Sequence, residues 1–249
     1  MRERRETGVA QPLMQHVMAL RKVLIISLGA VTAAFLLVFY LLCGKIMDFI
    51  LAPIVARGVT VIYTAVSEAL VTQLKVSLIA GVIAASPVIL WQVWTFVKPA
   101  LYEGERKAFR LWFVVALGLF LTGIVFCYAS VYMLTLDFFL IAGENIATPM
   151  LSINTYVGFL ISFLLPFGLA FQLPVAIYLT TKMGLTTAKM LTSKRKYVVL
   201  AIFIVAAVLT PPDVISQLML ALPMLALYEI GVLVAKTVKP STDRVSAAE

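Results

Sequence analysis

The sequence predicts an all-α membrane protein of six transmembrane helices, and three features carry that prediction. Hydrophobic residues make up 62% of the chain and charged residues 13%, about half the charged share of an ordinary soluble domain. The mean hydropathy of +1.04 points the same way. The charges that do occur are gathered between apolar runs long enough, at about 1.5 Å per helical residue, to cross a hydrocarbon core of about 30 Å. Little length is left for a soluble domain. The chain divides into an amphipathic N-terminal segment (1–22), a transmembrane domain (23–235) and a C-terminal tail (236–249).

Span one is the uncharged run 23–43. Arg2, Arg4 and Arg5 upstream of it lead to no convincing cleavage site, so the span is expected to be retained. Within 45–75, Pro53, Gly58 and the β-branched run 59–62 are expected to break any long helix, which makes this a structured connection outside the membrane. Span two is 76–97. It holds Pro87, a residue that membrane helices tolerate because neighbours re-satisfy the freed backbone groups. Span three, 111–136, lies between Arg110 and Asp137 and is long enough to tilt. After 137–155, a stretch without Lys or Arg, span four covers 156–181 with kinks expected at Pro166 and Pro174. Span five, 197–209, is short for the hydrocarbon and should thin the bilayer locally. Thr210-Pro211-Pro212-Asp213 then turns the chain into span six, 214–235. A single broken span over 197–235 would give five, but the double proline followed by Asp argues for a tight external turn.

Charge sets the topology. Of the 20 Lys and Arg, 17 fall in the N-terminal segment, the second and fourth connections and the C-terminal tail, and 3 in the first connection. The positive-inside rule then puts both termini, and the connection that holds Pro99 to Glu105, in the cytoplasm. The net charge of +8 is a matter of topology, not of nucleic-acid binding.

Catalytic motifs are missing: there is no metal-ligand spacing, nucleophile elbow or zinc-protease helix. Neither an enzyme nor a cofactor is expected. Cys43 and Cys127 sit far apart in apolar surroundings and read as packing residues, and His16 precedes span one, where a capping or interfacial role fits best. A proton-coupled carrier would place ionisable groups near the bilayer centre. The candidates are Glu229 late in span six and Glu68 and Lys75 near the outer start of span two, while Gln172 in span four is polar but does not titrate. A small-solute or ion transporter using spans four and six is the alternative reading.

The stretch SPVILWQVWTFVKPALYEGERKAF, 86–109, joins spans two and three through a charged elbow. Pro99 disfavours helix at Lys98 and turns the chain. Trp91 and Trp94, three residues apart, share a helix face, and with Tyr102 they suit a membrane interface. Glu103 and Glu105 follow. Upstream, QPLMQHVMALRKVLI at 11–25 sets Leu13, Val17, Leu20 and Leu24 at helical spacing, so an amphipathic helix should feed into span one. Two carboxylates beside an apolar shelf suit a basic peptide, because charge-assisted pairs between Arg and carboxylate are short and directional.

In these stretches the chain resembles the TatC family, the multispanning core and signal-peptide receptor of the twin-arginine protein translocase. The resemblance covers nearly all of 11–236 and rests on QPL...H....LRK..I at 11–25, SPVILWQVWTFVKPALY..ER from Ser86, AFQLPVAI from Ala170 and LTPPDVISQ...A.P...LYEIGV from Leu209. It implies a concave bundle with short fifth and sixth helices and cytoplasmic termini in a bacterial inner membrane. It also implies export of folded proteins driven by the proton-motive force, single-span partners of the TatA and TatB type, self-association, and no catalysis. At the elbow it implies that Glu105 receives the paired arginines of a signal peptide. Glu103 is expected to add a second acid, with Phe96, Leu20 and Arg21 beside them; a surface pairing of Glu103 with Arg106 or Lys107 is the competing reading. Gln217, Glu229, Gln172, Pro53, Asp213, Glu68 and Lys75 are expected to serve partner contact or structure. The sequence departs from the family pattern at Ala19 and Gln172, where glutamate is usual, and at Val23, where arginine is usual.

Overall fold

The computed structural model describes residues 7–97, 109–143, 148–210 and 213–238, without the side chains of 7–17, 97 and 109. Helix α1 (Thr7–Leu37) passes through a π turn (Val38–Leu42) into α2 (Cys43–Ala56) without interruption. The chain turns at Gly58, whose φ of 75° suits a residue without Cβ, forms the short strand β1 (Thr60–Ile62) and enters α3 (Glu68–Val97). Helix α4 (Phe109–Phe126) continues through a second π turn (Cys127–Tyr132) into α5 (Met133–Gly143). Strand β2 (Met150–Ser152) leads into α6 (Ile153–Ala170), which is separated from α7 (Leu173–Lys182) at Phe171 and Gln172. The short α8 (Ala188–Ser193) precedes α9 (Arg195–Leu209) and α10 (Val214–Thr237).

Among the described residues, five helical stretches are long and apolar enough to cross a membrane: Met18–Ala56, Glu68–Phe96, Arg110–Gly143, Ile153–Lys182 and Val214–Thr237. The expected fifth span exists as α9, but its 15 residues reach only about 22 Å. The all-α, polytopic architecture is as the sequence predicts; the span count rests on how far that short helix crosses.

Backbone contacts gather the chain into two units, Met1–Cys43 with Ser77–Leu117, and Gly44–Val76 with Gly118–Glu249. In the first unit α1 and α3 meet backbone to backbone, since a Cβ added at Gly81 would lie 2.9 Å from the Phe35 Cα. Helices α3 and α4 touch through the edge of Trp91 on Phe113, with centroids 5.1 Å apart. The two tryptophans do not share an environment: Trp94 is buried and Trp91 exposed. The second unit packs its core from the second π turn, α6, α9 and α10, with Cys127, Phe163, Phe167, Ala206, Leu220 and Val232 completely buried.

Pro53 does not end the first helix, contrary to expectation. It lies inside α2, so the connection expected over 45–75 shrinks to 57–67, and α3 starts at Glu68 instead of 76. A proline leaves the carbonyl four residues back, here Phe49, without its intrahelical donor. The second π turn directs the Tyr128 hydroxyl to that carbonyl in a long bond of 3.3 Å, with the Tyr128 and Phe49 rings stacked. Tyr156 donates to the next carbonyl, Ile50, at 2.9 Å. In a membrane the freed Phe49 carbonyl needs an internal partner, and Tyr128 supplies it, while Tyr156 adds a second bond one residue on. Of the two kinks expected in span four, Pro174 stands in the first turn of α7, where its missing N–H costs little, while Pro166 stays inside α6.

Candidate functional site

The elbow acids Glu103 and Glu105, with Pro99 and Tyr102, lie outside the described residues. The helices on either side of them are described, and their register can be followed from the contact of Phe35 with Gly81. The connection 57–67 is too short, at no more than about 3.5 Å per residue, to carry the chain back along the 30 residues of α3, so α3 runs opposite to α1. Leu20 lies 15 residues before Phe35 and Phe96 lies 15 after Gly81, each about 22 Å along its helix. Leu20, Arg21 and Phe96 therefore come to the same end of the first unit, the end at which α3 leads into the elbow. Leu20 and Arg21 are exposed and Phe96 is half-buried. Ala19, in the position where the family pattern has glutamate, is also exposed.

Glu68 organises a second constellation, wholly inside the second unit. Oε2 accepts from the Thr64 amide at 2.5 Å, the Thr64 hydroxyl at 2.9 Å and the Ala65 amide at 3.3 Å. Oε1 accepts from the Ser152 hydroxyl and, at 3.0 Å, from the Asn154 amide. One carboxylate thus serves the start of its own helix and the first turn of α6, both of which carry amides that no helix bond uses. Lys75 Nζ donates to Asn154 Oδ1 at 2.7 Å. Beside them β1 and β2 pair in parallel, Thr60 with Met150 and Ile62 with Ser152. Arg57 closes the group: Nε meets Asp137 Oδ1 at 2.5 Å and Nη1 the Pro53 carbonyl at 2.9 Å. The bond to Asp137 pushes the Arg57 pKa above its ordinary value and keeps the guanidinium charged. Glu68, Lys75 and Pro53 were singled out from sequence; Ser152, Asn154, Tyr128 and Tyr156 were not. A Ser followed three residues on by Thr, ahead of an apolar run, was the one local sign that Ser152 caps a helix.

The hairpin of α9 and α10 uses its polar residues internally. Asp213 accepts from the Ser216 amide at 2.6 Å and caps α10. Gln217 Nε2 donates to the Phe203 carbonyl at 3.1 Å, and Glu229 pairs with Arg195 at 2.5 Å. Gln172 stands at the break before α7, where Pro174 follows. A cavity of about 630 Å³ between α5, β2, α6 and the end of α9 is lined mainly by apolar groups such as Leu136, Phe139, Leu151 and Phe159, with Asp213 at its wall. Among the described residues no three His, Cys, Asp or Glu side chains gather in a way that would hold a metal.

A family model described as Sec-independent protein translocase protein (TatC) matches residues 15–223. The chain belongs to the TatC family. The TatC protein of Carboxydothermus hydrogenoformans is 42% identical over 92% of this chain and 94% of its own length. That of Aquifex aeolicus is 37% identical over 90% and 95%. A solved structure described as the twin-arginine translocase receptor TatC superposes with a TM-score of 0.83 at 37% identity, over 89% of this chain and 98% of that one. With TatC membership comes the role: a multi-pass membrane protein that is a core component of the Sec-independent, twin-arginine translocase, and not an enzyme.

Proposed function

We propose that this chain receives twin-arginine signal peptides at the elbow end of the first unit, with Glu105 as the main acceptor of the paired arginines and Glu103 as a second acid. Phe96 and Leu20 form the apolar shelf beside them, and Arg21 flanks it. The observation that carries this reading is the register of α1 on α3, which brings Leu20, Arg21 and Phe96 to the end of the first unit from which the sequence runs on into the acidic connection. The excess of cations in alternate segments supports cytoplasmic termini and a cytoplasmic elbow in the bacterial inner membrane. TatA-type and TatB-type single-span helices are the partners in export driven by the proton-motive force. For them the exposed row Tyr197, Leu200, Ile204 and Val208 on α9 offers a helix-wide apolar face. Gln217 and Glu229 on α10 are polar handholds for the same partner helices, and cysteine crosslinks from α9 and from positions 217 and 229 to a partner helix test it.

Binding of a twin-arginine peptide to Glu105→Gln, Glu103→Gln and the double variant tests the receptor site as a double-mutant cycle. Loss of a desolvated pair between Arg and carboxylate at Glu105 is expected to weaken binding by well over about tenfold. Glu103→Gln alone should weaken it less. Unchanged affinity for Glu105→Gln would move the receptor site away from the elbow.

A further inference from the structure

Between Glu144 and Asp213 the sequence contains no other acidic residue, yet five cations fall in 182–196. Two of them are accounted for. Lys182 occupies the last turn of α7, where a cation complements the helix terminus, and Arg195 is held by Glu229. Lys189, Lys194 and Lys196 remain, all exposed and with no described carboxylate paired to them.

The corner that carries them is built, not loose. Thr187 caps α8 by accepting from the Met190 amide, Ala188 and Leu191 pack on the core, and the Tyr228 hydroxyl donates to the Leu191 carbonyl at 2.9 Å. Lys196 Nζ stands 5.2 Å from the centre of the exposed Tyr197 ring. From Tyr197 onward α9 is apolar, so the three lysines lie at or before the polar end of the helix, the end that suits lipid headgroups.

We propose that the corner of α8 and α9 is a binding site for the headgroup of an anionic phospholipid, held by Lys189, Lys194 and Lys196, with Tyr197 at the interface below. Positive-inside topology requires only that cations lie on one side of the membrane. It does not require three of them on one rigid corner from which the neighbouring arginine has been taken out of play. A phosphate-bearing lipid supplies the missing charge, and each lysine near an anionic surface adds to the attraction. The site is independent of the signal-peptide reading.

The test uses the full chain in nanodiscs of phosphatidylcholine mixed equally with phosphatidylglycerol, with the lipid retained after detergent extraction counted by native mass spectrometry. The parent should retain phosphatidylglycerol over phosphatidylcholine by about tenfold or more. The variant K189Q/K194Q/K196Q should fall to near parity, and K189R/K194R/K196R should keep the preference. Three outcomes would overturn the proposal: no preference in the parent, a preference that survives in the glutamine variant, or one lost equally in Lys22→Gln/Arg110→Gln. Displacement of the retained lipid by inorganic phosphate alone would overturn it too, by making the site one for a free anion.

Discussion

Glu68 and Glu229 are both carboxylates of the second unit, and the fold uses them in opposite ways. Glu68 is buried, with both oxygens committed to donors from two segments of the chain. Glu229 has one strong partner, Arg195, and both side chains stay nearly half exposed. A buried carboxylate is stable only where donors surround it, and removing it leaves those donors without acceptors. An exposed pair is screened and contributes little to stability. The fold therefore fastens the junction of the first and third connections from within and closes the α9 and α10 end with a screened surface pair.

The largest effect should come from Glu68→Ala, which abandons the amides of Thr64, Ala65 and Asn154 and the hydroxyl of Ser152 together. The thermal midpoint of the purified protein should drop by roughly 5 °C or more, with Glu68→Gln recovering part of the loss. A midpoint unmoved by Glu68→Ala would show that the junction is held by the strands alone.

Tyr156→Phe and Tyr128→Phe should cost an intermediate amount, about 0.6 kcal/mol each and no more than about 1.7, the average and the maximum found for hydrogen bonds between membrane helices, with Tyr156 the larger because its bond is shorter. Replacing Pro53 by Ala returns an N–H for the Phe49 carbonyl, so Tyr128→Phe should cost almost nothing in that background. Equal costs in both backgrounds, read from unfolding in mixed detergent, would mean that the hydroxyl does not serve the proline. Glu229→Gln should be the mildest, about 0 to 1 kcal/mol, and its effect should shrink as salt is raised. A cost that matched Glu68→Ala would erase the contrast between the two carboxylates.

Much of this architecture was legible in the sequence because it depends on near neighbours. The apolar runs announced the spans, Pro211, Pro212 and Asp213 announced the last turn, and Pro174 announced the break before α7. The misreadings share a different cause. Pro53 looked like a terminator because the hydroxyl that serves its freed carbonyl, Tyr128, stands 79 positions from Phe49, and the neighbouring bond of Tyr156 to Ile50 spans 106. The pairing of β1 with β2 and the partners of Glu68 are equally remote. Trp91 and Trp94 were read as one face from spacing alone, but the fold buries Trp94 and leaves Trp91 exposed with its edge on Phe113 of α4. The elbow acids were singled out through local composition and lie outside the described residues, while the register of α1 on α3 added what spacing could not, that Leu20, Arg21 and Phe96 share one end of the first unit.

The ribbon of β1 and β2 also has a consequence for biogenesis. Parallel strands cannot be joined by a tight turn, and Ser152 and Asn154 follow Glu68 by 84 and 86 positions. While α3 inserts, Glu68 Oε2 already has Thr64 and Ala65 beside it, but Oε1 gains Ser152 and Asn154 only after α4 and α5 have crossed and α6 has begun to emerge. Until then the first connection stays open and the carboxylate stays in water. The junction is thus a latch that engages late in synthesis, and a chain with its third span inserted the wrong way round would present β2 on the opposite side of the bilayer and leave it unfastened.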